Sequence, residues 1–303
     1  MPDFFSTDTN HAKTPMQSPN RLEIQSLALE PGLYLVATPI GNLRDITLRA
    51  LDILTSADLV LAEDTRRARI LLSAYGIKSS LSAYHDHNVA KKLPSVIRNI
   101  LGGKSVALIS DAGTPLVNDP GYKLARECIK QDIPVIAVPG TSAVLAGLVS
   151  SGLTPARFMF AGFLPPKSAA RCTALGEVEA VPGTLIYFET AKRIKACLTD
   201  MQKILGDRQA AIARELTKKY EEILRGSLSE LIARIGETPL RGEIVIIIAP
   251  PEAQAQWDED KIRAALAPLI KIQGVKRAAA AIAQQSGHKK RDIYAVALKM
   301  KHE

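Results

Sequence analysis

The residues able to do chemistry gather where short apolar runs empty into turns. Ser110 to Gly121 reads S-D-A-G-T-P-L-V-N-D-P-G directly after the run Val106-Ala107-Leu108-Ile109. A buried strand that ends in a Gly/Pro turn, with one carboxylate at its tip, offers backbone groups and an acceptor to a small ligand. The layout recurs at Thr38-Pro39-Ile40-Gly41-Asn42 after Leu33 to Ala37, and at Pro139-Gly140-Thr141-Ser142 after Val135 to Val138. Three such transitions in one domain can converge on a single crevice. Asp111 either accepts hydrogen bonds from ligand hydroxyl or amino groups or caps its own turn; Gly113 and Pro115, which shape the loop, favour the ligand role.

Further clusters invite chemistry of other kinds. In His85-Asp86-His87-Asn88, two imidazoles and a carboxylate are good metal ligands, but alternate residues of an extended segment face opposite sides, so no metal is expected. A loop that touches RNA through His87 and Asn88 is the favoured reading. Glu63-Asp64-Thr65-Arg66 is equally a capped helix start or a carboxylate and an arginine lining a site. Lys276, Arg277, Lys289, Lys290, Arg291, Lys299 and Lys301 face only Asp292 and Glu303 in the last stretch. That is a solvated basic face or an arm that holds phosphates without reading sequence, and Lys167, Lys192, Arg193 and Arg171 extend the track.

The elements that must position these residues alternate, short apolar runs with longer amphipathic ones, as in strands and helices on a mainly parallel sheet. Strands are expected at Leu33 to Ala37, Leu59 to Ala62, Val106 to Ile109 and Val135 to Val138. Helices are expected at Thr47 to Thr55, Thr65 to Ala74, Tyr122 to Lys130 and Ala143 to Ser150, with Asn118 to Gly121 capping the third. Beyond the break at Gly152 to Arg157, strands fall at Phe158 to Phe163, Thr184 to Phe188, Gln209 to Arg214, Glu221 to Arg225 and Glu243 to Ala249. Helices at Lys192 to Leu205 and Ser227 to Ile235 leave this second sheet mixed. After the linker at Pro250-Pro251, helices at Glu259 to Ile272, Gly274 to Gln285 and Lys289 to Lys301 suggest a small helix-turn-helix appendage.

The resulting plan is a disordered arm over 1–29, α/β domains over 30–153 and 154–251, and a basic helical tail over 252–303. A hydrophobic fraction of 47% with 23% charged residues suits a folded, soluble chain. The net charge of +8 favours an anionic partner, nucleic acid above all. Cys128, Cys172 and Cys197 lie too far apart for a zinc site or a disulfide framework, which places the chain in a reducing cytoplasm. The first 29 residues resemble neither a signal peptide nor an anchor, and no apolar run is long enough to span a bilayer. No G-x-G-x-x-G or G-x-x-x-x-G-K-[ST] occurs, so a ligand without polyphosphate, such as S-adenosylmethionine, fits the turns best.

The segments L-Y-L-V-A-T-P-I-G-N-L-R-D-I-T, A-E-D-T-R, H-D-H-N, S-D-A-G-T-P-L-V-N-D-P-G and G-F-L-P together resemble the tetrapyrrole methylase superfamily. Within it they are most similar to the branch that modifies small-subunit ribosomal RNA. The resemblance implies a two-domain α/β fold with S-adenosylmethionine in the cleft between domains. It also implies a homodimer that methylates the ribose 2'-hydroxyl of a cytidine in the decoding region of 16S ribosomal RNA, within the assembled 30S subunit. Carried onto this chain, the cofactor positions are Ile40 and Gly41, Asp111, Gly113 and Thr114, and Ser142 with Ala143. In the second domain they are Phe188, Ala213 and Gly242. Thr141-Ser142 departs from the Pro-Cys pair common in relatives, which a backbone contact survives.

Methyl transfer needs an in-line approach of the oxygen to the methyl carbon, so positioning carries much of the catalysis. A base or cation near the hydroxyl assists, and the candidates are His85, Asp64, Lys167, Arg214 and Glu215. RNA contacts are expected from Arg66, His87, Asn88, Lys276, Arg277, Lys289, Lys290 and Arg291. Two alternatives stay open: a superfamily methyltransferase acting on a tetrapyrrole or other small molecule, and a non-catalytic RNA-binding assembly factor.

Overall fold

The computed structural model describes residues 23–26, 28–237, 240–252 and 257–302. Most of the expected arm, residues 1–22 and 27, lies outside the described residues. Its described end is tied down: the Gln25 amide donates to Asp52 Oδ1 at 2.7 Å, and Leu29 packs on the first core.

By proximity the chain forms two compact units, residues 1–146 with 215–222, and residues 147–214 with 223–303. The first unit runs β1 (Gly32–Val36), α1 (Leu48–Ser56), β2 (Leu59–Ala62), α2 (Thr65–Ala74), β3 (Leu81–Ala83), α3 (Val89–Leu101), β4 (Ser105–Ile109), α4 (Tyr122–Lys130) and β5 (Val135–Val138). It ends within α5 (Ala143–Ser151). The strands form one sheet in the order β3-β2-β4-β1-β5, parallel throughout. A parallel sheet is covered on both faces, which is why its strands read as unbroken apolar runs. Period-two alternation divides them: Tyr34, Val36, Ala107 and Ile109 face the core built with α1 and α2. Leu33, Leu35, Val106 and Leu108 face the core built with α3 and α4.

Two elements here escape the sequence pattern. The strand β3 is a half-buried edge of three residues, and α3 carries Pro94 within it, which reads as a break although Val89, Val96, Ile97 and Ile100 keep helical spacing. The capping expected from Asn118 to Gly121 is also corrected. Gly121 is itself the N-cap of α4, at φ 124°, and no side chain caps the helix. His85 to Asn88 is not extended; it leads through a turn into α3.

The second unit contains β6 (Phe158–Phe163), α6 (Ser168–Val178), β7 (Thr184–Thr190), α7 (Ile194–Leu205), β8 (Gln209–Arg214), β9 (Glu222–Ser227), α8 (Leu228–Glu237) and β10 (Glu243–Ile248). The sheet order is β6-β7-β10-β8-β9, and it is mixed: β6 and β7 are parallel, whereas β10 runs antiparallel to β7 and β8. The helix α6 leaves no helical signature in the sequence because its inward face is not an apolar stripe; its buried residues are Arg171 and Leu175. Three helices, α9 (Glu259–Gln273), α10 (Val275–Ser286) and α11 (Lys290–His302), close the chain around a small core of Ile262, Leu266, Ile282 and Ile293.

Candidate functional site at the carboxyl ends of the parallel strands

Adjacent parallel strands deliver their following loops to one edge, so β4, β1 and β5 bring the three turns together. The turns are stitched to one another. Thr38 and Gly113 exchange both backbone hydrogen bonds, each 2.9 Å, as an isolated antiparallel bridge. The Thr141 hydroxyl also donates to Thr38 O, and Thr114 Oγ1 donates to Thr141 O at 3.1 Å. Gly113 sits at φ +78°, where a side chain is strained, and a Cβ there would lie 3.3 Å from Ile40 Cγ2. Gly41 is required for a different reason: the segment at 215–222 packs on it, so a Cβ would lie 2.8 Å from Thr217 Oγ1 and 2.9 Å from Leu216 O. Thr217 Oγ1 accepts from the Asn42 amide at 3.1 Å, and Thr217 is held at φ +64°.

Asp111 stands at the tip of β4 with both oxygens engaged. Oδ1 accepts from the Asp64 amide at 3.0 Å, and Oδ2 lies 3.3 Å from Arg67 Nη1. A carboxylate has about four lone-pair positions, so acceptor capacity remains for ligand donors. Around it lie further carboxylates. Burial pushes Glu63 above the usual range, and the negative charges of Asp111 and Asp86 add to that. Burial likewise raises Asp119 to about 6, with Glu63 and Asp111 contributing and a Ser110 hydrogen bond opposing. The sequence offered Glu63 as a carboxylate lining a site, but it gave Arg67, Asp119 and Thr141 no such role. Only the double arginine after A-E-D-T and the one acid of the Asn-Asp-Pro-Gly turn hinted at them.

The other expected residues scatter. Asp64 caps α2 through the Arg66 amide at 2.8 Å and pairs with Arg66 Nη2 at 2.8 Å. Those two bonds hold its carboxyl down to about 2, which makes it a poor proton acceptor. Arg66 is exposed but committed to that pair. His85 is half-buried, with Nε2 3.2 Å from Asn88 Nδ2, while Asn88 Oδ1 accepts from the His85 amide at 3.1 Å. Asn88 therefore braces the turn from within, while Asp86 and His87 are exposed. Among the described residues no His/Cys/Asp/Glu group could hold a metal ion.

Glu215, at φ +48°, pairs with Lys218 Nζ at 2.9 Å in the first unit. Arg214, by contrast, ends β8 in the second, where Nη1 reaches Arg241 O at 3.5 Å. Lys167 is the exposed N-cap of α6. Ser142 and Ala143 open α5, and Ser142 O accepts from the Ala146 amide at 2.9 Å. Phe188 and Ala213 both pair with Val245 of β10 and so lie in one row of the second sheet. Phe188 packs edge-on against Phe160 and Phe163, with centroids 4.7 and 5.7 Å away; Gly242 precedes β10 at φ +90°. Lys276, Arg277, Lys290 and Arg291 are exposed on the terminal helices, and Lys289 is exposed in the turn before the last one.

Residues 32–232 match the family model described as tetrapyrrole (corrin/porphyrin) methylases, and residues 255–301 match the RsmI C-terminal HTH domain. The chain belongs to the tetrapyrrole methylase family. Within this family it is 49% identical over 282 residues to ribosomal RNA small subunit methyltransferase I of Mesorhizobium japonicum, covering 92% of this chain and 95% of that protein. Against the protein of the same name from Escherichia coli O157:H7, identity is 44%, covering 88% and 94%. Solved tetrapyrrole methylase relatives share the fold at low identity. Cobalt precorrin-4 methyltransferase superposes with a TM-score of 0.55 at 16% identity, covering 72% of this chain and 94% of that one. Uroporphyrin-III C-methyltransferase from Thermus thermophilus, complexed with S-adenyl homocysteine, gives 0.52 at 20%, covering 72% and 97%.

S-adenosylmethionine, the methyl donor, fits the residues present. It carries a sulfonium and an ammonium against one carboxylate, which suits an edge walled by Glu63, Asp111 and Asp119. Its ribose and amino donors suit the remaining lone pairs of Asp111.

Proposed function

We propose that the chain uses S-adenosylmethionine to methylate the ribose 2'-hydroxyl of a cytidine in the decoding region of 16S ribosomal RNA. It acts as a cytoplasmic homodimer on the assembled 30S subunit. The observation that carries the RNA reading is the helical tail, which has its own core and turns Lys276, Arg277, Lys289, Lys290 and Arg291 to solvent. A face of that kind neutralises phosphates and fixes register without reading bases. The names carried by the most similar relatives support the same reading. No helix among the described residues is long and apolar enough to cross a membrane.

When bound, the donor supplies an electrophilic methyl group on a sulfonium. The chain's own residues do the rest. Ile40, Gly41, Gly113, Thr114, Ser142 and Ala143 hold it by backbone and hydroxyl groups, and Asp111 takes its hydroxyl or amino donors. In the second unit the candidate cofactor positions are Phe188, Ala213 and Gly242. Arg214 stabilises a developing alkoxide, and His85 and Glu215 remain the proton acceptors that pH–rate profiles of single variants separate, since exposed Lys167 is an ammonium that only donates.

Two measurements test this. Calorimetry with S-adenosylmethionine should show a single binding site, and no binding would leave only a non-catalytic RNA-binding role. Methyl transfer should then be assayed on assembled 30S subunits, free ribosomal RNA and a porphyrinogen. Transfer to the porphyrinogen alone would overturn the RNA reading.

A further inference from the structure

The loop between β6 and α6 is held by buried charge. Leu164 O accepts from Arg193 Nη2 at 2.6 Å, and Pro165 O and Pro166 O accept from Arg171 Nη1 at 3.3 and 3.1 Å. Ser168 Oγ donates to Asp200 Oδ1 at 3.0 Å. Each guanidinium is anchored in turn. Arg171 grips Asp200 through Nε and Nη2 at 2.8 and 2.5 Å, and Arg193 Nε lies 3.1 Å from Glu189 Oε1. Arg171 is only 3% exposed and Glu189 only 2%.

Burying such pairs adds little stability over apolar packing, because desolvation offsets the attraction; what a planar guanidinium fork does supply is fixed direction. The loop needs it. Pro165 and Pro166 have no N–H, so it can be fixed mainly through its carbonyls, and those are what the two arginines hold.

The clamp presents two lysines. Lys167 is exposed at the N-cap of α6, and Lys192 is exposed in the turn before α7, which the Arg193 bond to Leu164 draws against the loop. Neither segment, 164–168 or 190–193, carries an acidic residue, and the neighbouring Glu189 is buried. Arg171 is therefore not part of a surface track but sits beneath it, and Arg193, half-buried, is committed to Leu164 O and Glu189.

We propose that loop 164–168 and turn 190–193 form a preorganised site for RNA backbone phosphates, with Lys167 and Lys192 making the contacts and Arg171 and Arg193 as positioning residues. This rests on RNA being the substrate. Fixing the backbone beforehand lowers the ordering cost of binding and sets register, which loose surface lysines cannot do.

The full-length protein carrying Lys167→Gln and Lys192→Gln, both exposed positions, should fold as the wild type does. Its KM for the RNA substrate should rise about tenfold, and the salt dependence of RNA affinity should flatten by about 1 to 2 in log–log slope, with S-adenosylmethionine affinity unchanged. Arg193→Lys keeps the charge but loses the fork, and should raise the RNA KM in the same way. A merely structural clamp would lower the melting temperature of Arg193→Lys and leave that KM alone. Wild-type KM and salt slope in the double lysine variant would overturn the site. Failure of the wild-type protein to methylate any RNA would instead overturn the reading beneath it.

Discussion

The turns of the first unit and the 164–168 loop of the second solve one problem, holding a short irregular segment still, by opposite means. In the parallel sheet, neighbouring strands deliver their turns side by side, and the turns hold one another through backbone bonds and threonine hydroxyls. Thr38 is the centre, bonded to Gly113 twice and to Thr141. In the mixed sheet, the loop between β6 and α6 has no such neighbour to pair with, and its prolines cannot donate. Buried Arg171 and half-buried Arg193 take over. Many small bonds make a site that tolerates losing one; a few strong, desolvated ones make a site that does not.

The sharpest way to break that contrast is Arg171→Ala, which leaves Asp200 buried and unpaired. It should cost about 3–5 kcal/mol in urea unfolding, whereas replacing both partners with Met and Leu should recover most of that. A loss under about 1 kcal/mol would mean the pair holds nothing. Asp111→Ala comes next: calorimetry should show S-adenosylmethionine binding weakened by about 1–3 kcal/mol if ligand donors lose their acceptor. Unchanged affinity would reduce Asp111 to a brace between β4 and α2. Thr141→Val removes one tie among several and should lower stability by only about 1 kcal/mol in the same urea measurement. A collapse of the fold on that change would place the turns in the fragile class with the clamp.

A further effect concerns pH. Asp119 is raised from 3.8 to about 6, mainly by burial, so the folded state holds its proton more tightly than the unfolded chain. The stability it contributes is full below about pH 3.8 and is lost as pH rises through about 6. Asp119→Asn should therefore gain in melting temperature relative to wild type as pH rises across that window. Asp64, held down to about 2, loses its contribution only at lower pH and does not mask the trend. A constant difference between the two proteins from pH 4 to 7 would show that Asp119 is solvated.

How much was legible depended on whether a residue's role is local. The strands β2 and β6 and the helices α2 and α4 have the bounds that alternation and helical spacing predict, because an apolar face must meet a core wherever it lies. Helix α6 was hidden because a charged Arg171 occupies its inward face, and α3 because Pro94 interrupts an otherwise regular stripe. The short edge strand β3 carries too few residues to show a period.

By itself the sequence determined the three strand-end turns, Asp111 at the tip of one of them, and the basic terminal helices, since each is a matter of residue type and near spacing. Only the tertiary structure decided what those groups touch. The bond between Thr38 and Gly113, the amide of Asp64 on Asp111, and the burial that lifts Asp119 all join residues far apart in the chain. The segment at 215–222, which explains why position 41 must be glycine, is drawn from between strands of the other sheet. Hydrogen bonds and desolvation act through space, and one strand's pattern does not say which loop will stand beside it.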